Sequence, residues 1–552
     1  MGKRGHKTHL ALAFAVLLVL LSFAPAARAA PEVGLEEQIA VTAPAPVAAT
    51  PADAVVESIG VNTHLGYTDT PYNDFALVRQ RLRELGIRYI RDSVSQDRPD
   101  VYAKMRELAG DGVHLDAIAG DPLQRWNIGT IDQQLDLIQK ELTSSVISIE
   151  GPNEYDLQGD PDWISILRSY TQQLSEGVRA RPGLAALPVL CPSIVRRENM
   201  AATGDLSPWC DYGNTHTYLS GEMPERDSIW DGELAAAANN SAAKPVQVTE
   251  TGYHNGVNGT VGHLGTSELA SGIYMPRLFL ENFRRGLLRS YAYELLDQRE
   301  DPSKTDIEAA FGLLRNDFSK KPAAVAVERL IGLLSDRGAS FKPTGLAYRL
   351  EGAPATARQL LLQKRDGSFD LVLWNAVSVW DTEQRVDTNP PDVPVTLTLG
   401  EPIAGAEVFE PNTSADPVAT FASPTSVALD LSERVTVVKL VPPAAVPPPP
   451  PVPEPEPEPT PAPEPEPSPL PLPVPPPPRT GLPTPPSAPP RAASVTAPAS
   501  ATAPPPASLP AAPAAPAATA PEPPVAGPVN RSHRTKTTKK HRKRQHRHRG
   551  AR

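Results

Sequence analysis

Residues 146–156 read VISIEGPNEYD. The first four, VISI, are mostly apolar and β-branched, the composition of a short buried strand. The run feeds straight into Glu150, Asn153 and Glu154. Three polar groups closing a buried strand must either be desolvated at a cost or be put to use.

Similar runs recur outward in both directions. Before it lie SIGVNTHLGY from residue 58, IRYIRDSV from 87 and VHLDAIAGD from 113; after it come LPVLCPSIV from 187, DYGNTHTYL from 211, PVQVTETGY from 245 and LLRSYAYELLD from 287. Segments such as DFALVRQRLRELG, IDQQLDLIQKEL and WISILRSYTQQLSEGVRAR separate them, and KPAAVAVERLIGLL follows the last. Their apolar residues return every three or four positions, the period of a helix with one buried face. Eight strands alternating with helices predict parallel βα units and an α/β fold, a (β/α)8 TIM barrel over residues 55–338. A doubly wound open sheet competes, but no glycine-rich phosphate loop opens the first unit.

Beyond residue 340 the period changes. TGLAYRLEG, ARQLLLQKRDGSFDLVLWN, VPVTLTLG, IAGAEVFEP and SVALDLSERVTVVKLV alternate apolar with polar residues, and RDGS between two such runs signals a hairpin. A small antiparallel β-sandwich is expected over 340–441.

The chain's ends are compositionally distinct. Lys3, Arg4 and Lys7 precede an apolar stretch from Leu10 to Phe23, and Ala27-Arg28-Ala29 follows. That is the pattern of a secretory signal peptide, here 1–29, and the stretch falls short of the ~20 residues a membrane span needs. No later stretch is long and apolar enough to span a bilayer. Of 66 prolines, 38 lie between Pro442 and Pro528. Such a segment lacks the apolar residues for a core and reads as a disordered, extended spacer over 442–528. The basic tail, 529–552, holds 11 Lys or Arg and four His from Arg531 onward; taking its charge from the total of −10 leaves −21 on the rest. A basic tail on an acidic body suits polyanions. In a secreted protein these are anionic cell-wall polymers or lipid head groups, and the compartment argues against nucleic acid. Cys191 and Cys210 stand either as a disulfide or as two buried thiols. No ligand-like Cys spacing exists, and nothing calls for a cofactor or a metal.

In a (β/α)8 barrel, polar residues at the C-terminal strand ends face the site. The second strand offers Arg91, the fourth Glu150, Asn153 and Glu154, the sixth His216 and Tyr218, the seventh Glu250, and the eighth Tyr293 and Glu294. Glu154 and Glu250 end strands three units apart, so closing the barrel brings them face to face. Two facing carboxylates suit glycoside cleavage: one protonates the leaving oxygen while the other attacks the anomeric carbon or activates water. Arg91 and Tyr218 are placed to keep one of them ionised.

These residues resemble a known group. E-G-P-N-E at 150–154 is similar to the E-x-x-N-E closing the fourth strand in retaining glycoside hydrolases of clan A, the 4/7 superfamily that includes cellulase-like and β-xylosidase-like families. TETG at 249–252 resembles its seventh-strand nucleophile motif, HTY at 216–218 its H-x-Y, and Arg91 its second-strand arginine. The resemblance covers about residues 55–340. It implies Glu154 as acid/base and Glu250 as nucleophile, with Asn153, His216, Tyr218 and Arg91 contacting sugar or nucleophile. Glu294, at the end of the eighth strand, stands either as a substrate contact or as a structural ion-pair partner. The third strand lacks the histidine of several members, and the eighth lacks their sugar-stacking tryptophan.

The sequence therefore points to a secreted, wall-attached retaining glycosidase acting on an oligo- or polysaccharide. The alternative is a non-catalytic glycan-binding surface protein on a degenerate barrel; the intact carboxylate pair favours the enzyme.

Overall fold

A computed structural model describes residues 45–124 and 128–443. The signal peptide, Trp126, the basic tail and the spacer beyond residue 443 lie outside the described residues. Among those described, no helix is long and apolar enough to cross a membrane.

The chain opens with two short strands, β1 (Pro46–Ala48) and β2 (Thr50–Pro51), then helix α1 (Ala52–Glu57). Seven parallel strands follow in one sheet: β3 (Ile59–Asn62), β4 (Tyr89–Ser93), β5 (His114–Ile118), β6 (Val146–Glu150), β7 (Gly213–Tyr218), β8 (Val246–Gly252) and β9 (Ser290–Ala292). Their order is β6-β5-β4-β3-β9-β8-β7, all neighbours parallel. The sheet curls, and its two free edges come to the same short segment. Ile149 bridges Val189 and Leu190 bridges Tyr212, both in parallel sense. LPVLCPSIV was expected as a full strand. Only residues 189 and 190 pair, because Pro188 and Pro192 flank them and a proline has no N–H to give a ladder.

Helices pack outside this sheet. In the helix Glu268–Arg284 the residues from Ala270 to Asn282 are all buried, so a helix covered on every side holds the region after β8. Val61, Ile90, Leu115, Ala117, Ile149 and Val248 are close to fully buried. They alternate along their strands with Asn62, Arg91, Asp116, Ser148 and Glu150, so one face of the sheet is apolar and the other carries the polar groups that lead into the site.

From β10 (Gly345–Glu351) onward the pairing is almost entirely antiparallel. β11 (Ala357–Gln363) and β12 (Phe369–Asn375) form the hairpin that RDGS signals, with Gly367 at φ 87° in its turn. The remaining strands are β13 (Trp380–Asp381) paired with β14 (Val386–Asp387), β15 (Val393–Leu399), β16 (Gly405–Phe409), β17 (Ala419–Ala422), β18 (Ser426–Leu431) and β19 (Thr436–Val441). Two sheets, β1-β10-β15-β18 and β17-β16-β19-β12-β11-β2, share a core of Leu346, Leu371, Leu373, Val395, Leu397, Val427 and Val438.

No periodicity marks β1 and β2, which precede the parallel sheet yet pair with β10 and β11. PVA and TP are too short to alternate, and their prolines suit the edge positions they occupy. A buried ion pair ties the helix Glu268–Arg284 to the antiparallel region: Arg277 binds both oxygens of Glu225, and Trp374 of β12 donates to Glu225 Oε1 at 2.7 Å.

Candidate active site

The strand ends of the parallel sheet open into a cleft of about 850 Å³. Arg91, Asn153, Glu154, His216, Tyr218 and Glu250 all line it.

Arg91, on β4, is 2 % exposed and spends every donor. Nε and Nη2 reach the two oxygens of Glu150 at 2.9 and 2.8 Å. Nη1 donates to Glu250 Oε1 at 2.7 Å and Asn62 Oδ1 at 3.0 Å, and Nη2 also to Asn153 Oδ1 at 2.6 Å. One guanidinium therefore fixes the end of β6 and the carboxylate of β8 together. Its planar fork matches Glu150 bidentately, a geometry lysine cannot supply. The carboxylate of Glu150 is thus the counterion that keeps Arg91 in place.

Glu250 is buried. Oε1 accepts from Arg91, Oε2 accepts from the Tyr218 hydroxyl at 2.7 Å, and His216 Nδ1 lies 3.6 Å from Oε2. Burial alone raises a carboxyl's pKa. Here the charges of His216 and Arg91 and the two hydrogen bonds outweigh it, and Glu250 is held below its ordinary value. Tyr218 moves the opposite way: burial and the Glu250 charge push its hydroxyl well up, so it remains a donor.

Glu154 follows β6 in the left-handed region, φ 47°. That backbone is uncommon for a residue with a side chain and is characteristic of functional turns. The Ser193 hydroxyl accepts its N–H at 3.3 Å. Its carboxylate is 24 % exposed to the cleft, and Oε1 lies 2.7 Å from His216 Nδ1. His216 is thus lodged between the two carboxylates, with Nε2 3.1 Å from Thr249 Oγ1. Burial disfavours its cation, but Glu250 and Glu154 prevail and raise its pKa.

Glu154, His216 and Glu250 each bring a potential ligand atom within 4.8 Å of one another. Both Glu250 oxygens already accept from protein donors, and a permanent cation, Arg91, occupies the same carboxylate. The trio is therefore already occupied by protein donors and held as a hydrogen-bonded group.

Glu294 lies apart from this group. It is fully buried and does not line the cleft. Its oxygens take Tyr72 OH and Gln298 Nε2, both at 2.9 Å, and His64 Nε2 lies 3.1 Å away. His64 is the residue that faces the cleft there. It stands two residues beyond β3, at the end of the first strand, where the rule applied to the other strand ends also points. Trp163 packs against the cluster of Tyr155, Leu167, Ile194 and Met200, and Trp209 against that of Cys191, Leu206 and Cys210, whose two cysteines form a disulfide.

Two carboxylates facing each other across a cleft are the pair with which most glycoside hydrolases cleave their substrates. Solved structures similar to this chain are glycoside hydrolases, among them clan A members of family 39. A family 39 enzyme from the gut symbiont Bacteroides cellulosilyticus matches with a TM-score of 0.51 at 15 % identity, over 71 % of this chain and 82 % of that one. The family 39 enzyme of Xanthomonas axonopodis pv. citri gives 0.47 at 15 % identity, over 74 % and 100 %. A family 39 β-xylosidase from Caulobacter crescentus gives 0.45 at 16 %, over 72 % and 98 %. At such identities the first of these likenesses establishes a shared fold. No protein-family model and no curated protein matches this sequence.

Proposed function

We propose that the chain is a retaining glycosidase built on a closed (β/α)8 barrel, with Glu250 as nucleophile and Glu154 as acid/base. One observation carries this reading: oxygens of Glu154 and Glu250 lie within 4.8 Å of each other. Retaining enzymes keep their carboxyl groups about 5–5.5 Å apart, while inverting ones need about 6.5–9.5 Å to admit a water between them.

Each group has a task its surroundings support. Glu250, held ionised by Arg91 and Tyr218, attacks the anomeric carbon. Glu154, less buried, with its carboxylate against His216 and its N–H held by Ser193, gives its proton to the departing oxygen. A glycosyl ester on Glu250 results. Glu154, now a carboxylate, takes a proton from water, whose oxygen displaces Glu250 and restores both residues. Asn153 is pinned through Oδ1 by Arg91, which leaves its amide N–H groups for a sugar hydroxyl.

Double displacement inverts the anomeric carbon twice. Proton NMR of the first-formed product is expected to show the substrate's own anomer; the opposite anomer would reassign Glu250 as a base acting on water.

The reading extends to location. The basic leader, the proline spacer and the 11 cations after residue 530 support secretion and attachment to an anionic wall. A chain truncated after Val441 is expected to hydrolyse a soluble glycoside as fast as the full-length protein. Only the full-length form should sediment with cell walls and come off at raised salt. Equal sedimentation of the two would move the attachment to the folded region.

A further inference from the structure

His64 takes no part in the two-carboxylate reaction, yet it occupies the cleft wall. Its ring is tightly held. It stacks on Tyr67 at 4.5 Å between centroids and 8° between planes, and meets Tyr72 and Tyr293 edge-on at 5.5 and 5.8 Å. Nε2 points to Glu294 Oε2 at 3.1 Å, a charge pair lying off the line of a hydrogen bond. Glu294 is fully buried and fixed in turn by Tyr72 and Gln298. The Tyr72 hydroxyl is itself anchored, accepting the N–H of Leu296 at 3.1 Å. The imidazole is 19 % exposed, and its Nδ1 has no hydrogen-bond partner among the described residues.

We propose that His64 is the cationic donor that binds a neutral sugar hydroxyl in this cleft, and that Glu294 acts through it as a positioning residue. The proposal rests on the glycosidase reading and deepens it by naming the substrate class. A buried carboxylate on one face of an imidazole and an open cleft on the other leave one N–H to offer. An acceptor oxygen of the ligand is what that N–H can take.

The charge on the ring follows from what faces it. Burial opposes the cation, but Glu294 beyond β9, Asp92 on β4 and Glu250 on β8 outweigh it and raise the His64 pKa. The other neighbours are Tyr67, Tyr72 and Tyr293, each with its own pKa pushed up and so neutral. Of the nearby arginines, Arg91 is spent on Glu150 and Glu250, and Arg98 on the Gly66 carbonyl and Asp100. The same census decides the ligand. A sugar carboxylate would need a cation with charge to spare, and the His64 charge is largely offset by Glu294, that of Arg91 by Glu150 and Glu250, and that of His216 by Glu154 and Glu250. A hydroxyl asks only for the one N–H, so a neutral sugar fits better than a uronate. Because the folded pKa is raised, the donor is fully charged at acid pH and is lost as pH rises through that raised value.

The test uses the full-length protein with nitrogen-15 histidine, His64 being assigned from His64→Gln. Its ring is expected to titrate above the ordinary histidine value, and in Glu294→Gln to fall back toward or below it. Cellotriose or xylotriose should shift the His64 signal, while trigalacturonate should not. In kinetics, His64→Gln should raise KM about tenfold to a hundredfold, as loss of a charge-assisted hydrogen bond does, with a smaller change in kcat. The rise of KM toward alkaline pH should also disappear. A His64 signal that no sugar moves, together with an unchanged KM, overturns the proposal even if Glu294→Gln fails to fold. A wild type that shifts the His64 signal with neutral sugars but hydrolyses no glycoside would instead overturn the glycosidase reading and leave the His64 site standing.

Discussion

Glu250→Gln is expected to abolish turnover, by on the order of 10⁴-fold or more in kcat, while the protein stays folded. The substitution removes the charge and keeps the shape. An amide oxygen in place of Oε1 still accepts from Arg91 Nη1, and the Tyr218 hydroxyl can rotate to accept from the amide N–H that replaces Oε2. Arg91 keeps its bidentate partner Glu150, so the guanidinium is not stranded in the core. What disappears is the nucleophile. An amide cannot form the glycosyl ester, and residues that act as one catalytic unit lose nearly all activity when one is removed. Thermal unfolding within a few degrees of the wild type, alongside lost hydrolysis of an aryl glycoside, is the expected pair of results. Undiminished hydrolysis would place the chemistry elsewhere in the cleft.

The site was legible in sequence where strand ends and burial agree. Arg91, Glu154, His216, Tyr218 and Glu250 lie on or just beyond parallel strands, and the pattern that locates a strand also locates its end. Glu294 shows where that logic stops. A strand end fixes where a residue sits, while whether it reaches the cleft depends on what packs before it. Here Tyr72 and His64, from a segment more than 200 residues earlier, stand in front. Their partnership is long-range and leaves no period in the sequence. The fold was read from helix and strand periods, which failed where elements are too short to have one. The bridge at 189–190 between two prolines and the edge strands β1 and β2 are such cases. The Arg277–Glu225 pair was invisible for another reason: its partners sit on separate elements and are ordinary surface residue types until buried.

Glu154→Ala separates the two halves of the reaction. With a good leaving group such as a dinitrophenolate, departure needs no proton, so the first step is expected to persist at near the wild-type rate. With an alkyl or sugar leaving group it should fall by about 10²–10⁴-fold, the usual worth of a positioned general acid. The second step suffers with every substrate, because no base remains to draw a proton from water. The glycosyl ester on Glu250 therefore accumulates, visible as a burst of released phenolate followed by slow turnover. Removing the side chain also opens space beside His216, whose Nδ1 lies 2.7 Å from Glu154 Oε1. Azide, an anion needing no general base, can enter that space and take the sugar from Glu250. Its product should be a glycosyl azide of the same anomeric configuration as the substrate, since two displacements have occurred. Azide that rescues Glu250→Ala instead, in one displacement with the opposite anomer, supports the same assignment from the other side. Azide rescue giving the opposite anomer from Glu154→Ala would exchange the two roles, making Glu154 the nucleophile and Glu250 the acid.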